Sequence, residues 1–430
     1  MTRFDPSRPL RGALRPPSDK SISHRAALIA AMGEGGTMIE GYLDAADTRS
    51  TLAAVEALGA RVEAGVDGSV SSQLRVHGVG LRGAESADVD VGNAGTLLRL
   101  LPGWLAGQEG EDWVLDGDES IRRRPVDRIA VPLRQMGARL RCREDRLPPL
   151  EIEGEPLRGI AYELPIASAQ VKSCLLFAGL LAHGETRVVE PLPSRDHTER
   201  MLAAAGASIA REGDAVVVQP AERLEPGPIT VPADISSAAF FVVATLLVGG
   251  SEVVLEEVGV NPTRTGLLAI LGRMGAAIEV EDERESSGEP VASLRVRSAP
   301  LRATEVGGAE IPLAIDELPL VALAACFAEG TTVIRDAEEL RRKESDRIET
   351  VTAALCALGG AVESTADGMV VEGTGGLRGG TVESHGDHRI AMLGAVAGLA
   401  SREGVEVVGM DAAAVSYPGF EADLGSLLRA

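Results

Sequence analysis

One short pattern recurs along the chain and is clearest at residues 348–362, IETVTAALCALGGAV. Its apolar residues follow one another at intervals of 3, 4, 3 and 4 from Ile348 to Val362, which is the spacing of one face of a helix. The pair Gly359-Gly360 predicts the end of that helix, because glycine readily adopts the left-handed conformation found there. The apolar run Met369–Val371 then predicts a β-strand.

The same Gly signal occurs at four other places, so the chain is built from repeats. Successive copies are 78, 69, 69 and 84 residues apart. The five copies are Leu58-Gly59-Ala60, Met136-Gly137-Ala138, Ala205-Gly206-Ala207, Met274-Gly275-Ala276 and Leu358-Gly359-Gly360. A period of about 70 residues divides the 430 residues into six units.

Each unit also contains a second, more apolar helix with a polar start. These stretches begin with Ser, Asn or Asp, which are preferred N-cap residues, and continue with Ala, Leu and Val on nearly all sides, as expected of a buried helix. They are residues 18–31, 93–106, 168–182, 234–248, 316–328 and 387–399. The sixth unit lacks a following strand, so we expect the N-terminal strand before Pro16-Pro17 to complete it.

Composition limits the classes of function. A chain of 430 residues exceeds one hydrophobic core, so two domains are expected. The 42 Lys and Arg against 64 Asp and Glu give a net charge of −22, which argues against nucleic-acid or membrane partners. Residues 1–10 lack the apolar core of a secretory signal, and the apolar run 238–248 is too short to span a membrane, so we expect a cytoplasmic protein.

Reactive residues collect at the predicted helix starts. A helix N-terminus carries unpaired N–H groups and about half a positive charge, so several converging starts would hold phosphate and carboxylate groups. The residues are Lys20, Ser21, Arg25, Asn93, Thr96, Arg99, Ser168, Gln170, Asp316, Glu317, Asp387, His388 and Arg389. Arg124 adds a cation beside Pro125, where another helix is expected to begin. The pattern predicts a polyanion site in an acidic protein.

Two acidic residues are candidates for proton transfer. Burial raises the pKa of a carboxylate and neighbouring cations lower it, which leaves the group able to accept and return a proton. Asp316 and Glu344 fit this description, since Lys343 and Arg347 flank Glu344. An N-cap for Asp316 and a helical ion pair for Glu344 are the structural alternatives.

Four segments together resemble the 5-enolpyruvylshikimate-3-phosphate synthase family, and the match runs almost end to end. They are Pro17-Ser18-Asp19-Lys20-Ser21-Ile22-Ser23-His24-Arg25, Gly92-Asn93-Ala94-Gly95-Thr96, Lys343-Glu344-Ser345-Asp346-Arg347 and Gly386-Asp387-His388-Arg389. Three further stretches look like the second sequence class of that family: Ser168-Ala169-Gln170, Arg195-Asp196-His197-Thr198-Glu199 and Asn261-Pro262-Thr263-Arg264.

The resemblance implies an α/β fold of the two-domain, inside-out α/β barrel type with six βαβαββ repeats, three in each domain. One domain would comprise residues 19–231, and the other residues 1–18 and 232–430. The resemblance places the active site in the cleft between the two domains.

The resemblance also implies the chemistry, which is transfer of the enolpyruvyl group of phosphoenolpyruvate to the 5-hydroxyl of shikimate 3-phosphate with release of phosphate. Neither a metal nor an organic cofactor is implied, and a monomer is expected. The residues implied to bind shikimate 3-phosphate are Lys20, Ser21, Arg25, Ser168, Ala169, Gln170, Arg195, Asp316 and Lys343. Those implied to bind phosphoenolpyruvate are Lys20, Gly95, Arg124, Gln170, Arg347 and Arg389.

The resemblance assigns the proton transfers to three residues. Asp316 would take the proton of the 5-hydroxyl, and Glu344, together with Lys20, would move the proton at the enolpyruvyl methylene carbon. Lys343 and His388 would support the arrangement of charges.

Two other functions stay open at this point. The related enolpyruvyl transferase acting on UDP-N-acetylglucosamine shares the repeats and the phosphoenolpyruvate chemistry, but its usual reactive cysteine has no counterpart in residues 115–125. A non-catalytic scaffold that binds anions at its helix starts would show binding without turnover.

Overall fold

The computed structural model describes residues 1–65 and 73–429. Among these residues none of the helices combines the length and the apolar character needed to cross a membrane. The helices are α1 (Lys20–Met32), α2 (Ala46–Ala57), α3 (Gly95–Leu105), α4 (Asp127–Gln135), α5 (Ala169–Leu181), α6 (His197–Ala204), α7 (Ile235–Leu247), α8 (Gly266–Arg273), α9 (Ile311–Ala314), α10 (Leu318–Phe327), α11 (Arg347–Ala357), α12 (His388–Ala400) and α13 (Phe420–Leu427).

The strands alternate with these helices along most of the chain. They are β1 (Thr2–Phe4), β2 (Arg11–Leu14), β3 (Glu34–Glu40), β4 (Arg61–Ala64), β5 (Gln73–Val79), β6 (Ala87–Asp90), β7 (Asp112–Asp116), β8 (Arg139–Arg143), β9 (Leu147–Glu153), β10 (Ala161–Glu163), β11 (Thr186–Val189), β12 (Ile209–Glu212), β13 (Ala215–Val218), β14 (Ile229–Thr230), β15 (Glu252–Gly259), β16 (Ala277–Ser286), β17 (Glu289–Arg297), β18 (Glu305–Val306), β19 (Thr331–Ile334), β20 (Ala361–Ser364), β21 (Met369–Glu372), β22 (Gly380–Glu383) and β23 (Val405–Val408).

The chain forms two compact units. The N-terminal unit comprises Ser18–Pro232 and Ser286–Glu289, and the C-terminal unit comprises Met1–Pro17, Ala233–Glu285 and Pro290–Ala430. Within the described ranges, the sheets of the N-terminal unit have the strand orders β14-β3-β5-β4, β6-β7-β9-β8 and β10-β11-β13-β12. Those of the C-terminal unit are β16-β17-β15-β2, β18-β19-β21-β20 and β1-β23-β22.

Each repeat follows one connection rule, shown by the sheet of β6 to β9. Strands β6 and β7 pair in parallel across α3, with Val89 opposite Leu115, and α4 leads on to the antiparallel pair β8 and β9. This is a βαβαββ unit, because a parallel pair needs a crossover while an antiparallel pair needs only a turn. In the described part of the chain none of these sheets closes into a barrel, so the expected fold name describes the repeats rather than a closed sheet.

Three repeats take a strand from a distant part of the chain. Strand β14 pairs in parallel with β3 and starts the first repeat, although it lies near residue 230. Strand β2 pairs in parallel with β15 in the fourth repeat. Strand β1 pairs antiparallel with β23, with Arg3 opposite Glu406, and supplies the strand that the sixth repeat lacks. The prediction that the N-terminal segment completes this repeat is confirmed.

The apolar helices form the interior of each unit. Helices α1, α3 and α5 pack together in the N-terminal unit, and α7, α10 and α12 pack together in the C-terminal unit. They are buried on nearly all sides, as α7 shows, because every residue from Ile235 to Leu246 is buried. Small Ala and Gly residues let these helices approach closely, so the low aromatic content is compatible with a dense core.

The starts of these helices differ from the sequence prediction at three places, since α1 is capped by Asp19 rather than Ser18 and the starts of α3 and α10 also differ. Asp19, Ser168, Asp234 and Asp387 cap their helices with a side-chain oxygen that accepts an N–H from the first turn. In α3 and α10 the N-cap residues are instead Ala94 and Glu317, which make no side-chain cap. The predicted caps at Asn93 and Asp316 are therefore wrong, because both side chains serve other partners.

The five Gly signals end the outer helices as predicted. Gly59, Gly137, Gly206, Gly275 and Gly359 all have positive φ, between 87° and 106°. At each one the next residue donates its N–H to a carbonyl five residues earlier, for example Ala207 to Leu202 at 2.9 Å. This is the Schellman arrangement, which only glycine adopts without steric cost. The repeats are therefore set by the same local signal each time.

Candidate active site

The residues predicted for the site fall into two groups, one on each unit. The N-terminal unit holds Lys20, Ser21, Arg25, Gly95, Arg124, Ser168, Ala169, Gln170 and Arg195. The C-terminal unit holds Asp316, Lys343, Glu344, Arg347, His388 and Arg389. In both units these residues lie at or beside helix starts, some at the interior helices and others at the outer helices α4, α6 and α11, where the macrodipole favours bound anions.

Arg347 is the centre of the C-terminal group. It begins α11, its side chain is only 1% exposed, and its guanidinium contacts three carboxylates. The Nε donates to Asp387 Oδ2 at 2.9 Å, the Nη1 to Asp316 Oδ1 at 3.3 Å, and the Nη2 to Glu344. One buried cation therefore brings together the two acids that the sequence nominates for proton transfer.

Charge pairing controls ionisation in this cluster. Burial by itself lowers the pKa of Arg347, but Glu344, Asp387 and Asp316 outweigh it and raise that pKa above its ordinary value. For Asp387, burial raises the pKa, and the guanidinium of Arg347 outweighs burial and lowers it. Both groups stay charged at neutral pH, because a buried charge is tolerated when it is paired and hydrogen-bonded.

Lys343 and Arg389 supply further cations around Asp316. The Lys343 ammonium lies 3.2 Å from Asp316 Oδ1, and the Arg389 Nη1 donates to the Asp316 main-chain carbonyl at 3.0 Å. His388 is buried at the start of α12, with its Nδ1 4.0 Å from Asp387 Oδ1. Asp316 thus lies among three cations rather than capping a helix, which is the environment that the catalytic hypothesis required.

Arg25 is a buried cation of the N-terminal group that donates three hydrogen bonds. It is buried in α1, and its Nε donates to Thr198 Oγ1 at 2.7 Å while Nη2 donates to Ser173 Oγ at 3.0 Å. A third donor, Nη1, binds the Ser21 carbonyl at 2.9 Å. Burial lowers the pKa of Arg25 to about 10, so it stays positive at neutral pH. The charge of Arg195 adds to this lowering of the pKa.

Gly95 and Arg124 fit against each other. A Cβ at residue 95 would lie 2.6 Å from Arg124 Nη1, so any side chain there would displace the tip of that arginine. The guanidinium is also held by Asn93 Oδ1 at 3.1 Å and Ser120 Oγ at 3.3 Å. Its neighbours Arg122 and Arg123 are exposed and pair with the half-buried Asp116 and the exposed Glu119, whereas Arg124 reaches the start of α3.

The remaining predicted residues lie at the starts of α1 and α5. Lys20 pairs with the buried Asp47 at 3.0 Å. Ser168 caps α5 by accepting from Val171 N at 3.4 Å, and Gln170 Nε2 donates to Thr96 Oγ1 at 3.3 Å, which links α5 to α3. The Ala169 carbonyl accepts from Ser173 Oγ at 2.6 Å. The structure therefore connects the N-terminal group through hydroxyl and amide side chains.

Three residues of the site were named in the sequence analysis without a role in it. Asp387 was noted only as a helix start, yet it is a main partner of Arg347. Glu317 is 1% exposed, accepts from Ser236 Oγ and lies 3.5 Å from Arg389 Nη1. Arg264 donates to the same Ser236 at 2.6 Å. The sequence placed Glu317 at a helix start but gave no sign that it would contact Ser236 and Arg389.

His24 gives the site motif of α1 a testable pH dependence. It is buried, and desolvation together with the charges of Lys20 and Arg25 lowers its pKa to about 3. Its Nδ1 contacts Thr51 Oγ1 at 2.6 Å. The unfolded chain binds a proton at His24 below pH of about 6.5, whereas the folded chain does not, so stability is present above that pH and is lost as pH falls toward 3.

We expect His24→Asn to remove that part of the pH dependence. Between pH 7 and pH 5 the free energy of unfolding of the unchanged chain should fall by up to about 2 kcal/mol more than that of the variant. Urea unfolding at both pH values measures the difference. The exposed His183→Asn variant is the control and should keep the full dependence. Parallel curves for the unchanged chain and His24→Asn would contradict a neutral, buried His24.

Comparison with known proteins gives a consistent result over nearly the whole chain. The family model described as EPSP synthase (3-phosphoshikimate 1-carboxyvinyltransferase) matches residues 4–424. A 3-phosphoshikimate 1-carboxyvinyltransferase of Gloeobacter violaceus is 53% identical over 418 residues, covering 96% of each chain. A protein of the same name from Geobacter sulfurreducens is 51% identical over 420 residues, covering 97% of this chain and 96% of its own.

The solved structures agree with the sequence comparison. An EPSP synthase structure from Acinetobacter baumannii superimposes with a TM-score of 0.89 at 43% identity, covering 99% of this chain and 97% of that chain. A second structure of the enzyme from that organism gives 0.88 at 42% identity. The similarity therefore extends through both units.

Proposed function

The chain belongs to the EPSP synthase family, and we infer that it transfers the enolpyruvyl group of phosphoenolpyruvate to the 5-hydroxyl of shikimate 3-phosphate, releasing phosphate. It is an enzyme of the shikimate pathway, a 3-phosphoshikimate 1-carboxyvinyltransferase. One observation supports the site most strongly, namely that Asp316 and Glu344 contact the same buried guanidinium. A cytoplasmic location and a monomeric state stay predictions from the sequence.

Substrate binding is assigned to the cations of both units. Arg25 and Arg195, with Lys20 and the start of α5, would hold the anionic groups of shikimate 3-phosphate. Arg124 in one unit, and Arg347 and Arg389 in the other, would hold phosphoenolpyruvate. Arginines whose side chains are already fixed by hydrogen bonds suit this task, because they lose little further conformational entropy when they bind an anion. The proposal requires both groups to act on one pair of substrates.

Two proton transfers accompany the change in bonding. Asp316 takes the proton of the 5-hydroxyl while the oxygen of that hydroxyl bonds to C2 of phosphoenolpyruvate. Glu344, with Lys20, delivers a proton to the methylene carbon. In the second half Glu344 takes a proton back from the methyl group as the C2–phosphate oxygen bond breaks, and the proton held by Asp316 passes to the departing phosphate, which restores both carboxylates. The cations Lys343 and Arg389 stabilise the negative charge that grows on the leaving phosphate.

The two acids suit separate tasks because their surroundings differ. Asp316 is held by Lys343 and Arg347, whereas the Glu344 side chain is 30% exposed and contacts Arg347 with one oxygen. The cations around Asp316 stabilise the negative charge that forms on the hydroxyl oxygen as its proton leaves, and the more accessible Glu344 can approach a carbon atom.

A phosphate-release assay tests the function directly. Purified protein with phosphoenolpyruvate should release phosphate when shikimate 3-phosphate is supplied, and should not when UDP-N-acetylglucosamine replaces it. The opposite outcome would select the related UDP-sugar transferase, which the family match does not favour. Binding of shikimate 3-phosphate without turnover would select the anion-binding scaffold.

A further inference from the structure

A buried lysine lies in α5, the helix whose start carries three of the residues predicted to bind shikimate 3-phosphate. Lys172 belongs to α5, two residues after Gln170, and its side chain has no exposure. Its ammonium lies 3.0 Å from Glu190 Oε2, 2.6 Å from Glu199 Oε1 and 3.4 Å from the Ser194 carbonyl. Two of these contacts are hydrogen bonds, to Glu190 and to the Ser194 carbonyl, and the third is an ion pair with Glu199, so the buried charge is paired.

These three acceptors all belong to one segment of the chain. Glu190 follows β11, Glu199 is in the first turn of α6, and Ser194 lies between them. Lys172 therefore holds residues 190–199 at both ends and in the middle. That segment carries Arg195, one of the residues proposed to bind shikimate 3-phosphate.

Lys172 is next in sequence to Ser173, one of the two residues whose hydroxyls bind Arg25. Lys172 contacts Glu199, and the adjacent residues Ser173 and Thr198 share a hydrogen bond of 2.6 Å. Both of those hydroxyls accept from the Arg25 guanidinium. The ion pair and the hydroxyl pair thus join α5 to α6 side by side, and only the hydroxyl pair contacts the predicted binding residue.

The charges around the ammonium explain why a cation is needed there. Glu190 is fully buried and is also 3.2 Å from Arg211 Nη1. Burial raises the pKa of Glu199, and Lys172 opposes that rise. Without the ammonium, two buried carboxylates would face each other, and the segment would have to move apart or take up a proton.

We propose that Lys172 is a positioning residue for shikimate 3-phosphate, fixing residues 190–199 so that Arg25 and Arg195 are held ready for the anionic groups of that substrate. The proposal rests on the function proposed above. Lys172 itself does not touch the substrate in this account. Its contribution is preorganisation, which lowers the cost of ordering the binding groups.

The test compares binding of the two substrates to the full chain. In Lys172→Met we expect the Kd for shikimate 3-phosphate, measured by titration calorimetry, to rise about tenfold or more. The KM for phosphoenolpyruvate at saturating shikimate 3-phosphate, and kcat, should stay within about threefold. A general loss of structure would change all three quantities together. A rise in the Kd for shikimate 3-phosphate alone therefore indicates that Lys172 positions the residues that bind this substrate.

A matched control separates this effect from lost stability. Leu271→Ala removes a fully buried side chain from α8 of the C-terminal unit, and it should lower the thermal midpoint while leaving the Kd for shikimate 3-phosphate unchanged. The proposal is wrong when folded Lys172→Met binds shikimate 3-phosphate within twofold of the unchanged chain, or when the KM for phosphoenolpyruvate rises equally.

A second variant covers the case in which Lys172→Met does not fold. Glu199→Gln keeps the side-chain volume but removes the charge that pairs with Lys172. The Kd for shikimate 3-phosphate should therefore rise about threefold, and amide hydrogen exchange in residues 190–199 should become faster. Unchanged Kd and exchange would overturn the proposal. Failure of the unchanged chain to bind shikimate 3-phosphate would instead overturn the proposed function, so the two failures are distinct.

Discussion

Glu344→Gln should slow turnover by about 10²-fold or more while shikimate 3-phosphate still binds. The amide keeps the size of the side chain and can still accept from Arg347 through its oxygen, so the cluster should stay assembled. It cannot carry a proton at neutral pH, and the proposed reaction needs proton transfer at the methylene carbon in both halves. The measurement is kcat from phosphate release, together with the Kd for shikimate 3-phosphate.

A control on the same helix sharpens this prediction. Glu349 is in the first turn of α11, is exposed, and pairs with Arg341 at 3.0 Å. Glu349→Gln therefore makes the same chemical change on the solvent side and should leave kcat within twofold. Equal kcat for Glu344→Gln and the unchanged chain would remove Glu344 from the mechanism, and would leave Asp316 as the remaining acid proposed for proton transfer.

The repeats could be predicted from the sequence because each is encoded locally. A glycine with positive φ after an amphipathic helix is a short-range signal, and Gly206 and Gly359 show it at widely separated places. The long apolar helices are equally local, since a helix that is apolar on all sides must be buried. The pairing of β1, β2 and β14 is harder to predict from the sequence, because a short strand contains few residues of an alternating pattern and its partner strand lies elsewhere in the chain.

The site could be predicted only in part for a related reason. Residue types and helix starts marked Asp316, Glu344 and Arg347, but nothing in their spacing shows that Arg347 would contact both acids and Asp387 as well. Such contacts depend on how three helix starts meet in space. The buried residues that position the site are still harder to predict from the sequence. Lys172 lies in an apolar helix, and its partners Glu190 and Glu199 belong to a later part of the chain.

Arg347→Met should have the largest effect, since this one side chain holds three carboxylates. Removing the guanidinium leaves Asp387, fully buried, and Asp316 and Glu344, both partly buried, without their shared cation. Breaking a buried ion pair by removing one partner typically costs about 3–5 kcal/mol. We therefore expect the C-terminal unit to lose stability by about that amount, and turnover to fall by about 10³-fold or more, because both proposed acids lose their position.

Stability and turnover must be measured separately, because unfolding alone would also abolish activity. Urea unfolding gives the first quantity, and phosphate release at a temperature where the variant is still folded gives the second. Arg335→Met is the control, since Arg335 is 57% exposed and pairs with the exposed Asp336. That change should alter neither quantity appreciably, because exposed ion pairs contribute little. A folded Arg347→Met chain with near-normal turnover would show that the carboxylate cluster does not organise the reaction.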